Sequence, residues 1–421
     1  MNFHDQDGDL YCESVPLAAI AREVGTPYYV YSLDEIGRRA GAYRSAFPDA
    51  LIAYAYKANA NLAVLRHLVA LGVGADVVSG GELWRALKVG TPPHQIVFNG
   101  NGKTPQEIAY ALASDVLCIN VDSAEEMELV AEVARARGVI APISFRVNPD
   151  IDPQTHPHIS TGLKQSKFGV PITEAGLLYQ AARAQPFLKI VGVHCHIGSQ
   201  ITQAAPLLAA AQSLRDLTLR LKDDGIDLAL INLGGGLGIA YRDERPMTPH
   251  EWASAVNAAL GYDSANNDST KIGGLQRARI VLEPGRSIVG AAGALVGQVI
   301  HLKRTSAKNF LVLDVGMNAL MRPSLYNAYH AIRPVRAAAA ALTADVVGPI
   351  CESADVLGRD RALPDLKRGD LVAVMDAGAY GFSMASRYNQ QPLPAEVVVQ
   401  GDRWEVVTQR ETWEQMAARE T

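Results

Sequence analysis

Leu51-Ile52-Ala53-Tyr54-Ala55-Tyr56-Lys57 runs apolar and aromatic and then closes on a lysine, ahead of Ala58-Asn59. A short run of this kind reads as a buried strand. A lysine at its end stands where water is scarce. Desolvation there disfavours the ammonium, lowers its pKa and makes the amine a nucleophile. Lysines in that setting form Schiff bases with carbonyl compounds, pyridoxal phosphate among them. The competing reading is a lysine that simply reaches solvent, as most charged side chains do.

The same kind of run recurs along the chain. Ile52–Lys57, Ala75–Ser79, Ile96–Asn99, Val116–Val121, Ile143–Asn148, Val191–Ile197, Leu228–Leu233 and Arg279–Glu283 make eight. Alanine- and leucine-rich stretches with helical periodicity separate them, such as Ala124–Arg137 and Pro206–Lys222. Alternation of strand and helix argues for parallel strands joined by helical crossovers. Eight such units predict an α/β fold, a (β/α)8 TIM-type barrel of roughly 250 residues. We place it at residues 26–290. Lys57, Ser79, Asn99, Asn148, His196 and Glu283 all fall at C-terminal strand ends, the face where such barrels carry their chemistry. A doubly wound open sheet is the alternative on pattern alone.

After Pro284 the texture changes. Gly293–His301, Asn309–Asp314, Ala344–Val347, Leu371–Asp376 and Ala395–Val399 are short β-rich runs separated by Gly, Pro and Asp. They predict a mostly antiparallel β domain over 291–421, with residues 1–25 joined to it.

Bulk properties narrow the function. The chain has 421 residues, long enough for two domains, and its 48% hydrophobic and 20% charged composition is ordinary for a soluble globular protein. A net charge of -5 gives no reason to expect nucleic acid or an acidic membrane as a partner. The polar start Met1-Asn2-Phe3-His4-Asp5 shows no secretory pattern, and no apolar stretch reaches membrane-spanning length. Cys12, Cys118, Cys195 and Cys351 are scattered, which fits a reducing cytoplasm better than a disulfide scaffold or zinc site.

Several motifs carry chemistry. Leu233-Gly234-Gly235-Gly236-Leu237-Gly238 follows the seventh run, where barrels often bind phosphate through backbone N–H groups. Glu283-Pro284-Gly285-Arg286 follows the eighth. A carboxylate there suits a pyridinium nitrogen, keeping the ring protonated, or else forms a structural Glu–Arg pair. His194-Cys195-His196-Ile197-Gly198-Ser199-Gln200 ends the sixth run. Two histidines at i and i+2 share a strand face, but no third ligand has metal-site spacing, so no metal is expected. His196 is better used stacked on a flat cofactor ring, and Ser199 as a phosphate donor. Cys351-Glu352-Ser353 sits in a polar loop of the second domain. Arg322-Pro323-Ser324-Leu325-Tyr326 offers a guanidinium fork for a carboxylate. Ala379-Tyr380-Gly381 places a phenol among small residues, as contact loops do.

Taken in order, these motifs resemble the alanine-racemase-like, fold-type III decarboxylases, and within them the diaminopimelate decarboxylase family. Thr155-His156-Pro157-His158-Ile159-Ser160-Thr161-Gly162, Lys167-Phe168-Gly169 and Gly378 to Met384 extend the likeness over essentially the whole chain. One departure is Arg387, where the family often has asparagine. The resemblance implies that pyridoxal 5'-phosphate is held by Lys57, with His196 on its ring and Glu283 at its nitrogen. Ser199, Gly234, Gly235, Gly236, Gly285 and Arg286 would bind its phosphate. Arg286, Arg322 and Tyr326 would grip the distal carboxylate of meso-2,6-diaminopimelate, and Glu352 its distal amine. Tyr380 would touch cofactor and substrate, and Cys351 would return a proton to the α-carbon. The implied product is L-lysine with CO2, the last step of lysine biosynthesis, made by a cytoplasmic homodimer with shared active sites.

Three alternatives remain at this stage. A decarboxylase of ornithine, arginine or carboxynorspermidine would need no carboxylate clamp, and ornithine-type enzymes tend to carry aspartate where Glu352 stands. A non-catalytic pyridoxal-phosphate carrier would lack the second domain. A racemase would place a tyrosine where Cys351 stands.

Overall fold

A computed structural model describes residues 2–153, 167–261, 271–272, 275–276 and 278–420. Eight parallel strands close a barrel in the order Leu51–Ala55, Gly74–Val77, Ile96–Phe98, Cys118–Val121, Ala141–Asn148, Leu188–His194, Leu230–Asn232 and Arg279–Leu282. The last strand pairs with the first through Val281 and Leu51, and every neighbouring pair is parallel. Each predicted run supplies one strand. Helices Ala124–Arg137 and Ala204–Asp223 cover the outside as their periodicity implies.

The barrel interior is apolar along most of its length and polar near the C-terminal end. Asp76, Asn120, His194 and Asn232 are all buried there. Register explains one consequence. Ala55 is paired with Asp76, so the carboxylate stands beside the end of the first strand.

The second unit is a large, mostly antiparallel sheet built on the long strand Gly293–Arg304. That strand pairs with Asn309–Leu313, Leu371–Val374 and Tyr28–Ser32. Tyr28–Ser32 lies inside the 26–290 range given to the barrel from sequence, yet its partners are Gly293–Arg304 and Ala395–Gln400. Nothing in its local sequence says which sheet it joins. Ahead of it, Phe3–Gln6, Asp9–Cys12 and Val15–Pro16 form a small sheet of their own.

The seam between the two units is tight. A Cβ on Gly378 would collide with the Val289 carbonyl oxygen, so only glycine fits. Two residues on, Tyr380 adopts φ 55° and donates its backbone N–H to the Ala58 carbonyl at 2.8 Å. The contact loop of the sheet domain is thereby pinned beside Lys57.

Candidate active site

Lys57 does not lie in its strand. The strand stops at Ala55, and Tyr56–Ala58 form one 3-10 turn that carries the lysine over the barrel mouth. Its side chain keeps 37% exposure, and Nζ lies 2.5 Å from Oδ2 of the fully buried Asp76. Burial works against the ammonium, but Asp76, with Tyr380 and Glu283 behind it, holds the amine above the ordinary lysine range. The lowered pKa expected from strand burial is thereby overturned. A carboxylate from the next strand outweighs desolvation.

Glu283 follows the eighth strand and is 5% exposed. Asn232 Nδ2 donates to it at 2.6 Å and Asn99 Nδ2 at 2.8 Å, while His194 Nε2 lies 3.1 Å away. Burial pushes its carboxyl up, but the His194 ring, the Lys57 ammonium and the Asn99 amide together hold it well below the usual range. It is held as an ionised acceptor inside the barrel.

Gly235 donates its N–H to His196 Nδ1 at 3.1 Å, which fixes that nitrogen as the unprotonated one. Burial, then Arg146 and Lys57, push the ring's pKa well below the usual imidazole value, so it is neutral. Gly234 and Gly236 take φ of 65° and 109°, and a Cβ on Gly235 would collide with the Glu283 carbonyl oxygen. The glycine run is therefore required by backbone approach, not only by a turn.

Lys57, His196, Ser199, Gly236, Glu283, Gly285, Arg286 and Tyr380 line one deep cavity with Asp76. Lys57 also faces an open cleft between barrel and sheet domain, bordered by Asn59, Glu82, Arg85 and Ser383. Arg286 is buried, donates Nη2 to Ser199 Oγ at 3.0 Å and Nη1 to the Tyr241 hydroxyl at 2.8 Å, and lies over the Tyr380 ring. Arg322, also buried, lies 4.9 Å over the Tyr241 ring, with Nη1 on His330 Nε2 at 2.8 Å. His330 donates Nδ1 to the Met375 carbonyl; burial and Arg322 bring its pKa to about 3, so it stays a neutral acceptor. The Nε atoms of Arg286 and Arg322 are buried without a partner, and neither guanidinium makes an ion pair among the described residues. Two adjacent buried guanidinium groups have the geometry to take a carboxylate. Tyr326 ends the short helix Arg322–Tyr326 and is half-buried.

Cys351 and Glu352 are not brought to this cavity. Both are exposed on a loop of the sheet domain, where the Cys351 N–H donates to Asn389 Oδ1 at 2.7 Å. Ser79, another polar strand end, serves as a helix N-cap by accepting the Glu82 N–H. Among the described residues no cluster of three or more His, Cys, Asp or Glu side chains is placed to hold a metal. The stretch Thr155 to Gly162 lies outside the described residues.

Residues 33–290 match the family model described as pyridoxal-dependent decarboxylase, pyridoxal binding domain. The chain is 47% identical over 397 residues to diaminopimelate decarboxylase of Aquifex aeolicus, covering 94% of this chain and 91% of that one. The chain belongs to the diaminopimelate decarboxylase family. Solved members agree in fold. The Helicobacter pylori enzyme complexed with L-lysine superposes with a TM-score of 0.90 at 41% identity, covering 96% and 98% of the two chains. The M. jannaschii enzyme in co-complex with L-lysine gives 0.93 at 39% identity, covering 100% and 98%.

The family is pyridoxal-dependent, and the residues present fit that cofactor. An amine, a neutral flat imidazole, an ionised buried carboxylate and a glycine cradle face one cavity. Two contributors escaped sequence reasoning, Asp76 and Tyr241, while Asn99 was read only as a polar strand end and His194 only as a weighed metal ligand. Asp76 had a signal, an acid inside the otherwise apolar Gly74-Ala75-Asp76-Val77. Tyr241 had none, because it sits in a loop and its role depends on two distant arginines.

Proposed function

We propose that this chain decarboxylates meso-2,6-diaminopimelate to L-lysine and CO2 with pyridoxal phosphate. The observation that carries the choice of substrate is the Arg286–Tyr241–Arg322 cluster beside the Lys57 cavity. A basic amino acid with one carboxylate has nothing to offer it. A substrate with a second carboxylate neutralises it.

Lys57 would attach the cofactor through Nζ. His196 would lie on its ring, Tyr380 against it, and Ser199, Gly234, Gly235, Gly236 and the Gly285-Arg286 backbone around its phosphate. When bound, pyridoxal phosphate supplies the sink for the electron pair that departing CO2 leaves behind. Glu283 keeps a proton at the ring nitrogen, which its ionised state in this site favours. Arg286, Arg322 and Tyr326 bind the distal carboxylate and so orient the α-carboxylate, and Glu352 meets the distal amine. Cys351 donates the proton that replaces CO2.

Cys351 and Glu352 line neither cavity at Lys57. That supports their arrival from a second copy, and hence a homodimer with shared sites. The four free cysteines suit the cytoplasm. No helix of the described residues is long and apolar enough to cross a membrane.

Product analysis tests the reading. Protein with pyridoxal phosphate and meso-diaminopimelate is expected to release lysine and CO2 in equal amounts. Inert diaminopimelate alongside turnover of ornithine or arginine would transfer the chain to another decarboxylase class.

A further inference from the structure

Asn99 follows the third barrel strand and is 4% exposed. Its side-chain amide carries two hydrogens, and both are engaged by carboxylates. Nδ2 donates to Asp76 Oδ1 at 2.6 Å and to Glu283 Oε1 at 2.8 Å. The amide cannot turn over, because its Oδ1 accepts from Asn120 Nδ2 at 2.6 Å. Asn120 is anchored in turn. Its backbone carbonyl accepts from Lys103 Nζ at 2.6 Å, and that buried ammonium also pairs with Glu126.

The two carboxylates have separate tasks. Asp76 opposes the amine of Lys57, and Glu283 faces the site of the cofactor ring. Buried like charges repel and tend to take up a proton between them. A donor placed between them, with one hydrogen on each, offsets that tendency. Asn99 reaches Glu283 past the first and second barrel strands, so it joins the carboxylate at Lys57 to the one that follows the eighth strand.

We propose that Asn99 is a positioning residue that keeps Asp76 and Glu283 ionised together and in fixed orientation, setting the charge at the lysine end and at the ring-nitrogen end of the cofactor as one unit. This rests on the pyridoxal-phosphate reading. Without the amide, one of the two carboxyls binds a proton near neutral pH. The alternative is that Asn99 only fills space.

The sign of the pH effect separates the two. Burial leaves the Asp76 carboxyl above its ordinary range and Glu283 is held below it, and in both the amide hydrogen bond works toward the ionised form. For Asp76, whose folded pKa stands above its unfolded value, what the amide contributes is present above the folded pKa and is lost as pH falls through it. Removing the amide therefore costs most at high pH and least where a proton can neutralise one acid.

The test is the melting temperature of the cofactor-free, full-length chain at pH 5 and pH 8. Asn99→Ala is expected to lose at least twice as much at pH 8 as at pH 5. Adding Asp76→Asn, which removes one charge, is expected to erase most of that excess. Equal losses at both pH values and in both backgrounds would reduce Asn99 to packing. Should Asn99→Ala fail to fold, Asn120→Ala frees the amide to rotate, and the same pH asymmetry is expected at smaller size; a pH-independent loss overturns the proposal. In protein loaded with pyridoxal phosphate, Asn99→Ala is also expected to displace the pH profile of the visible band, and an unmoved profile counts against it. The melting arms contain neither cofactor nor substrate. Their failure removes the role of Asn99 and leaves the decarboxylase reading intact, whereas absent lysine production with the pH asymmetry preserved does the reverse.

Discussion

Lys57 Nζ stands 2.5 Å from Oδ2 of Asp76, and this contact decides the protonation of the amine. Desolvation alone makes a lysine a free nucleophile. Here the neighbouring carboxylate keeps it charged, so the amine must give up a proton before it reacts with an aldehyde. Asp76→Asn removes the opposing charge and increases the neutral fraction at pH 7. Pyridoxal phosphate added to cofactor-free Asp76→Asn protein is therefore expected to attach faster at pH 7 than in the wild type. Stopped-flow absorbance reads the rate, and an unchanged rate would mean that Asp76 does not set the state of Lys57.

Attachment itself is assigned to Lys57. Borohydride reduction of the loaded protein followed by peptide mapping is expected to find the label there, and Lys57→Ala is expected to have no turnover, because covalent catalysis has no substitute nucleophile. A label on another lysine overturns the assignment.

Arg322 supports substrate choice. Removing a guanidinium that pairs with a buried carboxylate costs about 2–5 kcal/mol. Arg322→Ala is thus expected to lower kcat/KM for meso-diaminopimelate roughly 30-fold or more. Unchanged kinetics would make Arg322 a structural residue held by His330.

Glu82 borders the cleft at Lys57, and burial pushes its carboxyl up to about 7 despite Lys57 and the Val78 N–H. An acid raised in the folded state stabilises the protein fully below its unfolded pKa of about 4.3 and loses that contribution as pH rises to about 7. Glu82→Gln removes the penalty. Its melting temperature is expected to match the wild type near pH 5 and exceed it at pH 8. The opposite order would contradict the burial argument.

The shared site gives a mixing test. Lys57→Ala and Cys351→Ala chains are each expected to be inactive. Unfolding, mixing and refolding them makes half the dimers hetero, each with one intact site, so about a quarter of wild-type activity should return by symmetry. No recovery, with subunit exchange demonstrated, would place Cys351 in its own chain's site.

The barrel was legible because each strand is a local apolar run ending on a polar residue, from Lys57 to Glu283. What pattern could not show were contacts between runs. Asp76 lies on the second strand and Asn99 just after the third, and only closure of the barrel brings them to Lys57 and Glu283. Val356–Leu363 escaped as a strand because Arg359, Asp360 and Arg361 interrupt its apolar character. Tyr28–Ser32 read into the barrel range because its partners lie more than 260 residues away, at Gly293 and beyond. The paired arginines were legible singly, as forks for a carboxylate. Their meeting at Tyr241 was not, since it joins one loop and the starts of two short helices from different units.

The most direct measurement is the ratio of kcat/KM for meso-diaminopimelate to that for D-lysine, which keeps the carboxylate lost in the reaction and lacks the distal one. A site that leaves buried hydrogen-bonding groups unpaired rejects such an analogue by about 10⁴-fold or more. The account therefore expects efficient conversion of meso-diaminopimelate and next to no decarboxylation of D-lysine. Comparable values for the two would contradict the claim that the Arg286–Tyr241–Arg322 cluster selects a second carboxylate.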